Sequence, residues 1–472
     1  MAKHVHLIGI CGSAMASLAG MLQTKSYRVT GSDAAAYPPM SDLLNSLGIP
    51  IMEPYSEKNL WPRPDLVIVG NAISRGNIEL EGVLDQRIPF RSLAGTIQDE
   101  FLLGKESLVV AGTHGKTTTT SMLAWIYEVA SQTQPEFAPS FLIGGIAENF
   151  ATSFRVREGK SFILEGDEYD TAFFDKAPKF MHYFPNALIL THVEFDHADI
   201  YENLEAVKTA FRRLVNLVPR RGRLIAYDGS TNVDECVSRA LCGTERYGFK
   251  PGSAWQLRDL THNHANSSWK IFRSGREWLE VTLPLPGEHN ALNATAAAAL
   301  AAGQGINPAS IVEALATFRS VKRRLEVRAI AAGVTIIDDF AHHPTAIRET
   351  LKALRAAYPG QKLWAVLEPR SNTLRRNVFE RELVESLSLA DGIVVAGVFK
   401  QESIPEGERM HPQKVVAALV SAGHDATFYG GADDIVQGLT PRLKPGDVVA
   451  ILSNGGFDGI YEKLPKQLEH RT

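Results

Sequence analysis

The chain has 472 residues, which at roughly 150 residues per domain predicts about three domains. Hydrophobic residues make up 44% and charged residues 22%, the balance of an ordinary globular protein, which excludes disulfide scaffolds, collagen-like repeats and bulk disorder. Lys and Arg number 49 against 53 Asp and Glu, a net charge of −4, so no basic excess points to nucleic acid or a membrane as partner, and three scattered cysteines fit a reducing cytosol.

Residues 7–21 imitate the apolar core of a signal peptide, but His4, His6, Gly9 and Gly12 interrupt it. No apolar run reaches the ~18 residues of a membrane span. Residues 5–8 predict a short strand, Gly9-Ile10-Cys11-Gly12-Ser13 a loop, and Met15, Leu18, Ala19 and Leu22 a helix at spacings of three and four. Residues 28–33 predict a second strand ending in Asp33, and residues 66–70 a third, continuously apolar as in a buried parallel sheet. The alternation continues to about residue 103 and describes a small doubly wound domain. Its first loop lacks the G-x-G-x-x-G spacing, which argues against a nicotinamide dehydrogenase.

A second unit opens with an apolar strand at 108–111, followed by Gly112-Thr113-His114-Gly115-Lys116-Thr117-Thr118 and an amphipathic helix. That context suits a nucleoside-triphosphate loop. The glycines let backbone N–H groups approach phosphates, Lys116 neutralises their charge, and Thr117 offers a hydroxyl to Mg²⁺. The alternative is a glycine-rich turn with a surface lysine.

Strand 161–164 runs into Glu165-Gly166-Asp167-Glu168-Tyr169-Asp170, four acids in six residues that need a compensating cation or base. Such a segment is a Mg²⁺ candidate or a solvated acidic loop. Strand 187–190 leads into Thr191-His192-Val193-Glu194-Phe195-Asp196-His197. His197 is a candidate ligand for metal or phosphate, with His192, Glu194 and Asp196 orienting it, or else a structural histidine. A β-rich excursion is expected around 255–285, then an Ala-rich buried helix opened by His289, Asn290 and Asn293. These three are candidates to read a nucleotide base, with helix capping by Asn290 as the plainer alternative.

Val321-Lys322-Arg323-Arg324-Leu325 reads as a basic joint, and residues 334–337 as the first strand of a third α/β unit. That strand ends in Asp338-Asp339-Phe340-Ala341-His342-His343-Pro344, where a carboxylate suits a ribose hydroxyl and a histidine suits phosphate or substrate. Arg323 and Arg324 either stabilise a moving phosphoryl group or form a solvated joint. Further strands are expected at 363–367, 392–396 and 447–452, the first and last followed by polar loops where open α/β sheets bind ligands.

In this order the motifs resemble those of the Mur ligases, ATP-dependent amide-bond-forming enzymes of peptidoglycan assembly. The matching segments are Gly112–Thr118, Glu165-Gly166-Asp167-Glu168, Glu194-Phe195-Asp196-His197, His289-Asn290-Ala291-Leu292-Asn293, Arg323-Arg324-Leu325-Glu326 and Asp338–Pro344. The resemblance implies an α/β, three-domain Mur ligase architecture. Residues 1–104 would be a Rossmann-like UDP-sugar domain, 105–322 a P-loop ATPase-like domain, and 323–472 a Rossmann-like domain for the peptide substrate. Tyr37-Pro38-Pro39-Met40-Ser41, Asn71-Ala72-Ile73-Ser74, Glu368-Pro369-Arg370-Ser371-Asn372 and Ser453-Asn454-Gly455-Gly456 further resemble members that join UDP-N-acetylmuramate to L-alanyl-γ-D-glutamyl-meso-diaminopimelate, the murein tripeptide, through an acyl phosphate in cell-wall recycling. The alternatives are condensation with L-alanine, or a nucleotide-sugar sensor that catalyses nothing.

The implied roles are as follows. Lys116, His197 and Arg324 are catalytic. Gly112, Thr113, His114, Gly115, Lys116, Thr117, Thr118, His289, Asn290, Asn293, Arg324 and Asp339 hold ATP. Thr117, Glu168 and His197 hold Mg²⁺. Gly12, Ser13, Asp33, Asn71, His343, Arg370 and Asn372 bind substrate. His192 departs from the Asn usual in the family, and Arg212 stands near the position at which some members carry a carbamoylated lysine.

Overall fold

The computed structural model describes residues 2–36, 40–263 and 266–470, so Tyr37, Pro38 and Pro39 of one distinguishing segment lie outside the described residues. The chain forms three α/β layers in sequence, each with its own central sheet.

The first sheet is parallel throughout, in the order Ile51–Met52, Arg28–Ser32, His4–Ile8, Leu66–Val69, Phe90–Ser92. Its central strand is buried along its whole length, histidines included. His6 is tolerated there because Nε2 donates to Glu79 Oε1 at 2.6 Å while Nδ1 meets Thr30 Oγ1 at 2.8 Å. Helix Ser13–Thr24 buries Met15, Leu18, Ala19 and Leu22, the stripe expected from their spacing. Its outer side docks on the second layer, where Ser17 and Ser153 share a hydrogen bond of 2.7 Å and Phe154 covers Gly20.

The second sheet has ten strands. Its parallel centre runs Arg223–Tyr227, Ala187–Leu190, Glu106–Ala111, Ser161–Gly166, with antiparallel strands Trp255–Asn263, Asn266–Arg273 and Arg276–Leu283 forming the expected β-rich flank. Helices Lys116–Ser131 and Glu288–Gly303 pack on each other inside this layer. Successive alanines of the second helix permit that approach, and both helices are buried on nearly every side.

The third sheet has six strands, ordered Glu326–Ala331, Val334–Asp339, Val448–Leu452, Leu363–Leu367, Gly392–Ala396, Asp425–Tyr429. Two of these differ from the sequence expectation. Val334–Asp339 is not the first strand of the layer, because Glu326–Ala331 precedes it and pairs with it antiparallel. Edge strands Glu326–Ala331 and Asp425–Tyr429 are only half buried, so neither shows a continuous apolar run. Pro344 does not merely stop a strand: it is the first residue of helix Pro344–Ala357, which His343 caps. Among the described residues, no helix is long and apolar enough to cross a membrane.

Candidate active site

Strand Glu106–Ala111 ends at the phosphate loop, and Gly112 and Gly115 take φ of 135° and 80° there. A β-carbon at Gly115 would meet Asn293 Oδ1 at 2.6 Å, so only glycine allows the loop to lie against helix Glu288–Gly303. Thr191 Oγ1 donates to His114 O at 2.6 Å and Thr113 N to His192 O at 2.8 Å, fixing the loop to the next strand end. Helix Lys116–Ser131 begins with no side-chain cap, leaving its first N–H groups aimed out of the loop. Thr113 Oγ1 is buried without a partner. Gly112 through Thr118, the expected ATP cradle, is therefore one continuous turn with anion-seeking chemistry.

Lys116 Nζ donates to Gly112 O at 2.7 Å and to both oxygens of Glu168, at 2.7 and 2.9 Å. Glu168 Oε1 also accepts from His197 Nε2 at 3.0 Å. The structure thus unites Lys116, Glu168 and His197, which come from three different strand ends. Burial opposes all three charges, yet the group is self-supporting. Glu168 holds Lys116 above its ordinary pKa, Lys116 and His197 hold Glu168 below its own, and Glu168 raises His197. Asp167 is lowered to about 2 against the same burial, chiefly by Lys179, whose Nζ lies 2.5 Å from Oδ2, and by Lys116. His197 itself is held at φ 55°, a strained conformation for a side chain of this size.

The acid that Thr117 bonds is Glu165. Thr117 Oγ1 donates at 2.9 Å to Glu165 Oε1, while Glu165 Oε2 accepts from Gly144 N at 2.9 Å. Glu165 was not singled out from the sequence. The acidic run contains it, but only the adjacency of strands Glu106–Ala111 and Ser161–Gly166 shows which acid faces Thr117.

Of the other residues in the 191–197 segment, Asp196 stays with His197, its Oδ1 accepting from His197 N at 2.7 Å, while Glu194 and His192 find partners elsewhere. Asp196 Oδ1 accepts from Thr373 Oγ1 at 2.7 Å, and Glu194 Oε2 accepts from His114 Nε2 at 3.0 Å and Thr345 Oγ1 at 2.7 Å. His192 does not orient His197: its ring lies 4.5 Å from that of Tyr227, and burial lowers its pKa to about 4. His343 reaches across from the third layer, with Nε2 donating to Phe195 O at 3.1 Å and its ring 4.6 Å from that of His114.

On the side of helix Glu288–Gly303, Gly287 rather than Asn290 is the cap, and Asn290 Nδ2 donates to Pro286 O at 2.8 Å. His289 is partly buried, and its buried Nδ1 is unpartnered. The two adjacent arginines separate in role. Arg323 is clamped to Asp338, to Ser453 O and Gly455 O at 2.7 and 2.8 Å, and to Tyr461 Oη at 3.0 Å. The Arg324 guanidinium lies 5.2 Å from the Phe340 ring centre and makes no hydrogen bond with the described residues. Asp339 is engaged already: Oδ2 accepts from Leu325 N at 2.8 Å, and Oδ1 from Ala341 N at 2.9 Å and Thr350 Oγ1 at 3.0 Å. Its carboxylate fastens the chain's entry into the third layer through three of its roughly four acceptor positions.

Gly12, Ser13, Asp33 and Asn71 gather at the C-terminal ends of the three middle strands of the first sheet, where strand order reverses. Asp33 Oδ2 accepts from Cys11 N at 2.8 Å and shapes that loop. In the third layer Arg370 follows strand Leu363–Leu367, its guanidinium 3.7 Å from the Phe399 ring centre and 3.3 Å from Glu368 Oε1. Asn372 Nδ2 donates to Asp199 Oδ2 at 2.7 Å, and Arg375 Nη2 donates to Asn372 Oδ1 at 2.6 Å, so Asn372 ties the third layer to the second.

Comparison with known proteins covers all three layers. Sequence profiles described as the Mur ligase family catalytic domain, the Mur ligase middle domain and the Mur ligase glutamate ligase domain match residues 4–100, 110–301 and 323–455. The chain is 42% identical over 461 residues to the UDP-N-acetylmuramate–L-alanyl-γ-D-glutamyl-meso-2,6-diaminoheptandioate ligase of Escherichia coli K12, covering 98% of this chain and 97% of that one. It is 37% identical over 468 residues to the enzyme of the same name from Haemophilus influenzae, covering 99% of each. Among solved structures, a murein peptide ligase of Psychrobacter arcticus is 33% identical with a TM-score of 0.73 over 99% of both chains. The UDP-N-acetylmuramate–alanine ligase of Thermotoga maritima is 25% identical with a TM-score of 0.82 over 100% of both. With these likenesses spanning the phosphate loop, the acidic strand end and the arginine joint alike, the chain belongs to the Mur ligase family.

Proposed function

We propose that this protein is an ATP-dependent ligase that joins UDP-N-acetylmuramate to L-alanyl-γ-D-glutamyl-meso-diaminopimelate in peptidoglycan recycling. The observation that carries the proposal is the Lys116–Glu168–His197 group at the mouth of an uncapped helix, in a chain 42% identical to the E. coli tripeptide ligase over nearly its whole length. In this reaction the lactyl carboxylate becomes an acyl phosphate, and the tripeptide's α-amine displaces phosphate from it.

The donor set fits nucleotide and cation. Lys116 would leave Glu168 to neutralise phosphate oxygens, and the N–H groups from Gly112 to Thr118 would cradle them. Thr117, Glu165, Glu168 and His197 are the oxygen and nitrogen donors that would hold Mg²⁺. When bound, Mg²⁺ supplies the positive charge that lets two anions meet. Arg324 would face the γ-phosphate, and His289 Nδ1 and Asn293 the nucleoside side. Gly12, Ser13, Asp33 and Asn71 would receive the UDP group. Arg370 would pair with a tripeptide carboxylate.

The test is release of ADP and phosphate from purified protein given ATP, Mg²⁺ and UDP-N-acetylmuramate, with tripeptide or L-alanine as acceptor and mass spectrometry of the amide product. Turnover with tripeptide supports the proposal; turnover with L-alanine alone overturns it. The L-alanine reaction is favoured by the TM-score of 0.82 to the T. maritima enzyme, but two curated relatives named for that reaction are 29% and 31% identical, against 42% for the tripeptide ligase of E. coli. Nucleotide binding without amide product would identify a sensor.

A further inference from the structure

Where the central and C-terminal layers meet, His114, Glu194 and His343 converge. Their ligand atoms all lie within 4.8 Å of one another, the one such group of His, Cys, Asp or Glu among the described residues. His114 Nε2 is 3.0 Å and His343 Nδ1 3.7 Å from the same oxygen, Glu194 Oε2. A tetrahedron of bonds of about 2.0–2.1 Å has edges of roughly 3.4 Å, between those two distances. His343 is buried, and its Nε2 donates to Phe195 O at 3.1 Å, which makes Nδ1 the lone-pair nitrogen; Nδ1 accepts the capping bond from Thr345 N at 3.3 Å and lies 3.7 Å from Glu194 Oε2, so a metal would take this lone pair in exchange for the cap. A metal-binding imidazole is oriented in this way, by a backbone carbonyl on its other nitrogen. Thr345 Oγ1 donates to Glu194 Oε2 at 2.7 Å and steers the carboxylate.

We propose that His114, Glu194 and His343 form a binding site for a borderline divalent transition metal such as Zn²⁺, bridging the central and C-terminal layers. Two imidazoles and one carboxylate select zinc-like ions over Mg²⁺, which prefers all-oxygen shells. This site is distinct from the Thr117, Glu165, Glu168 and His197 donors, and it stands independently of the acceptor the enzyme uses. His114 binds through Nε2 as its Nδ1–H tautomer, and water completes the coordination on the partly exposed side of Glu194. The ion then fastens the phosphate loop to the cap of helix Pro344–Ala357, making the closed arrangement of the two layers metal-dependent.

The test uses full-length, tag-free, chelator-stripped protein in millimolar Mg²⁺, titrated with Co²⁺ and Zn²⁺. The expected result is one equivalent of Co²⁺ giving visible d–d bands that Zn²⁺ abolishes. His114→Gln and His343→Ser should each weaken Zn²⁺ binding by more than about 100-fold, and Thr345→Val by about tenfold. Ser keeps a capping oxygen at position 343, which protects folding. X-ray absorption of the wild-type Zn²⁺ complex provides a second reading, with two imidazoles and oxygen ligands expected. Unchanged affinity in the His343→Ser protein, loss of binding in His197→Gln instead, or a shell without two imidazoles overturns the proposal.

Discussion

Lys116 and Glu168 form a buried ion pair, Nζ lying 2.7 Å from Oε2 and 2.9 Å from Oε1, at the point where phosphate and cation would have to come between them. In the structure the phosphate-binding lysine and the metal-binding carboxylate neutralise each other. Ligand binding therefore exchanges one set of charge contacts for another, and neither residue is left uncompensated in either state.

Removing one partner exposes that dependence. Lys116→Met is expected to lower kcat by about 10²–10³-fold, through loss of a preorganised cation. It should also lower the unfolding free energy by about 3 kcal/mol, because Glu168 keeps only His197. Adding Glu168→Gln should restore most of the stability and none of the activity. Urea unfolding and coupled ADP release measure the two; near-normal ligation by Lys116→Met would refute the phosphate-site assignment.

The adjacent arginines should respond oppositely. Arg323→Ala breaks bonds to Asp338, Ser453 O, Gly455 O and Tyr461 and leaves Asp338 buried and unpaired, so a loss of about 3 kcal/mol is expected. Arg324→Ala should change stability by less than about 0.5 kcal/mol, because its guanidinium lies near the Phe340 ring and makes no hydrogen bond with the described residues, and should act on kcat instead. Thermal melts and steady-state kinetics on the two proteins separate these outcomes.

Stability should fall on mild acidification. His192 and His343 titrate at about 4 in the folded protein, against an ordinary value of 6.5, because burial disfavours their charge. Between these values the unfolded chain binds more protons than the folded one. Their contribution is therefore complete above 6.5 and disappears as pH falls toward 4, at up to about 3 kcal/mol per imidazole. Asp196 is held down, against its burial, mainly by His197, so its own contribution is lost only below the ordinary carboxylate range. Urea midpoints measured from pH 7 to 4 in the presence of chelator should show the loss, and His192→Asn should flatten it by about half. A midpoint independent of pH over that window would contradict the buried neutral histidines.

The first layer docks through a glycine. A β-carbon at Gly20 would meet Phe154 Cε1 at 2.7 Å, and both sit in packed surroundings. Gly20→Ala is expected to destabilise that contact by about 1–3 kcal/mol, in spite of alanine's better helix propensity. Phe154→Leu in the same chain should recover much of the loss. Differential scanning calorimetry reads both; a stabilised Gly20→Ala protein would show that the layers do not pack as described.

Much of this site was legible in the linear chain because most of its parts follow a buried parallel strand. Continuous apolar runs mark such strands, and the polar residues after them mark where the sheet's ligand edge lies. The phosphate loop, the acidic segment and His197 are legible in this way, whereas the Ala-rich helix follows an antiparallel strand and is legible by its composition. The half-exposed edge strands Glu326–Ala331 and Asp425–Tyr429 carry no such signal, and both escaped.

The sequence by itself determined the layer order, the anion-binding turn and the family, because these depend on residues close together along the chain. Tertiary structure decided the pairings between strand ends: Thr117 with Glu165, Glu168 with both Lys116 and His197, and His343 with the turn that holds His114. It also decided that Arg323 and Asp339 build the joint while the Arg324 guanidinium makes no hydrogen bond with the described residues. Hydrophobic periodicity reports which face of a segment is buried, whereas a polar side chain's partner depends on strand order and domain approach, neither of which is encoded locally.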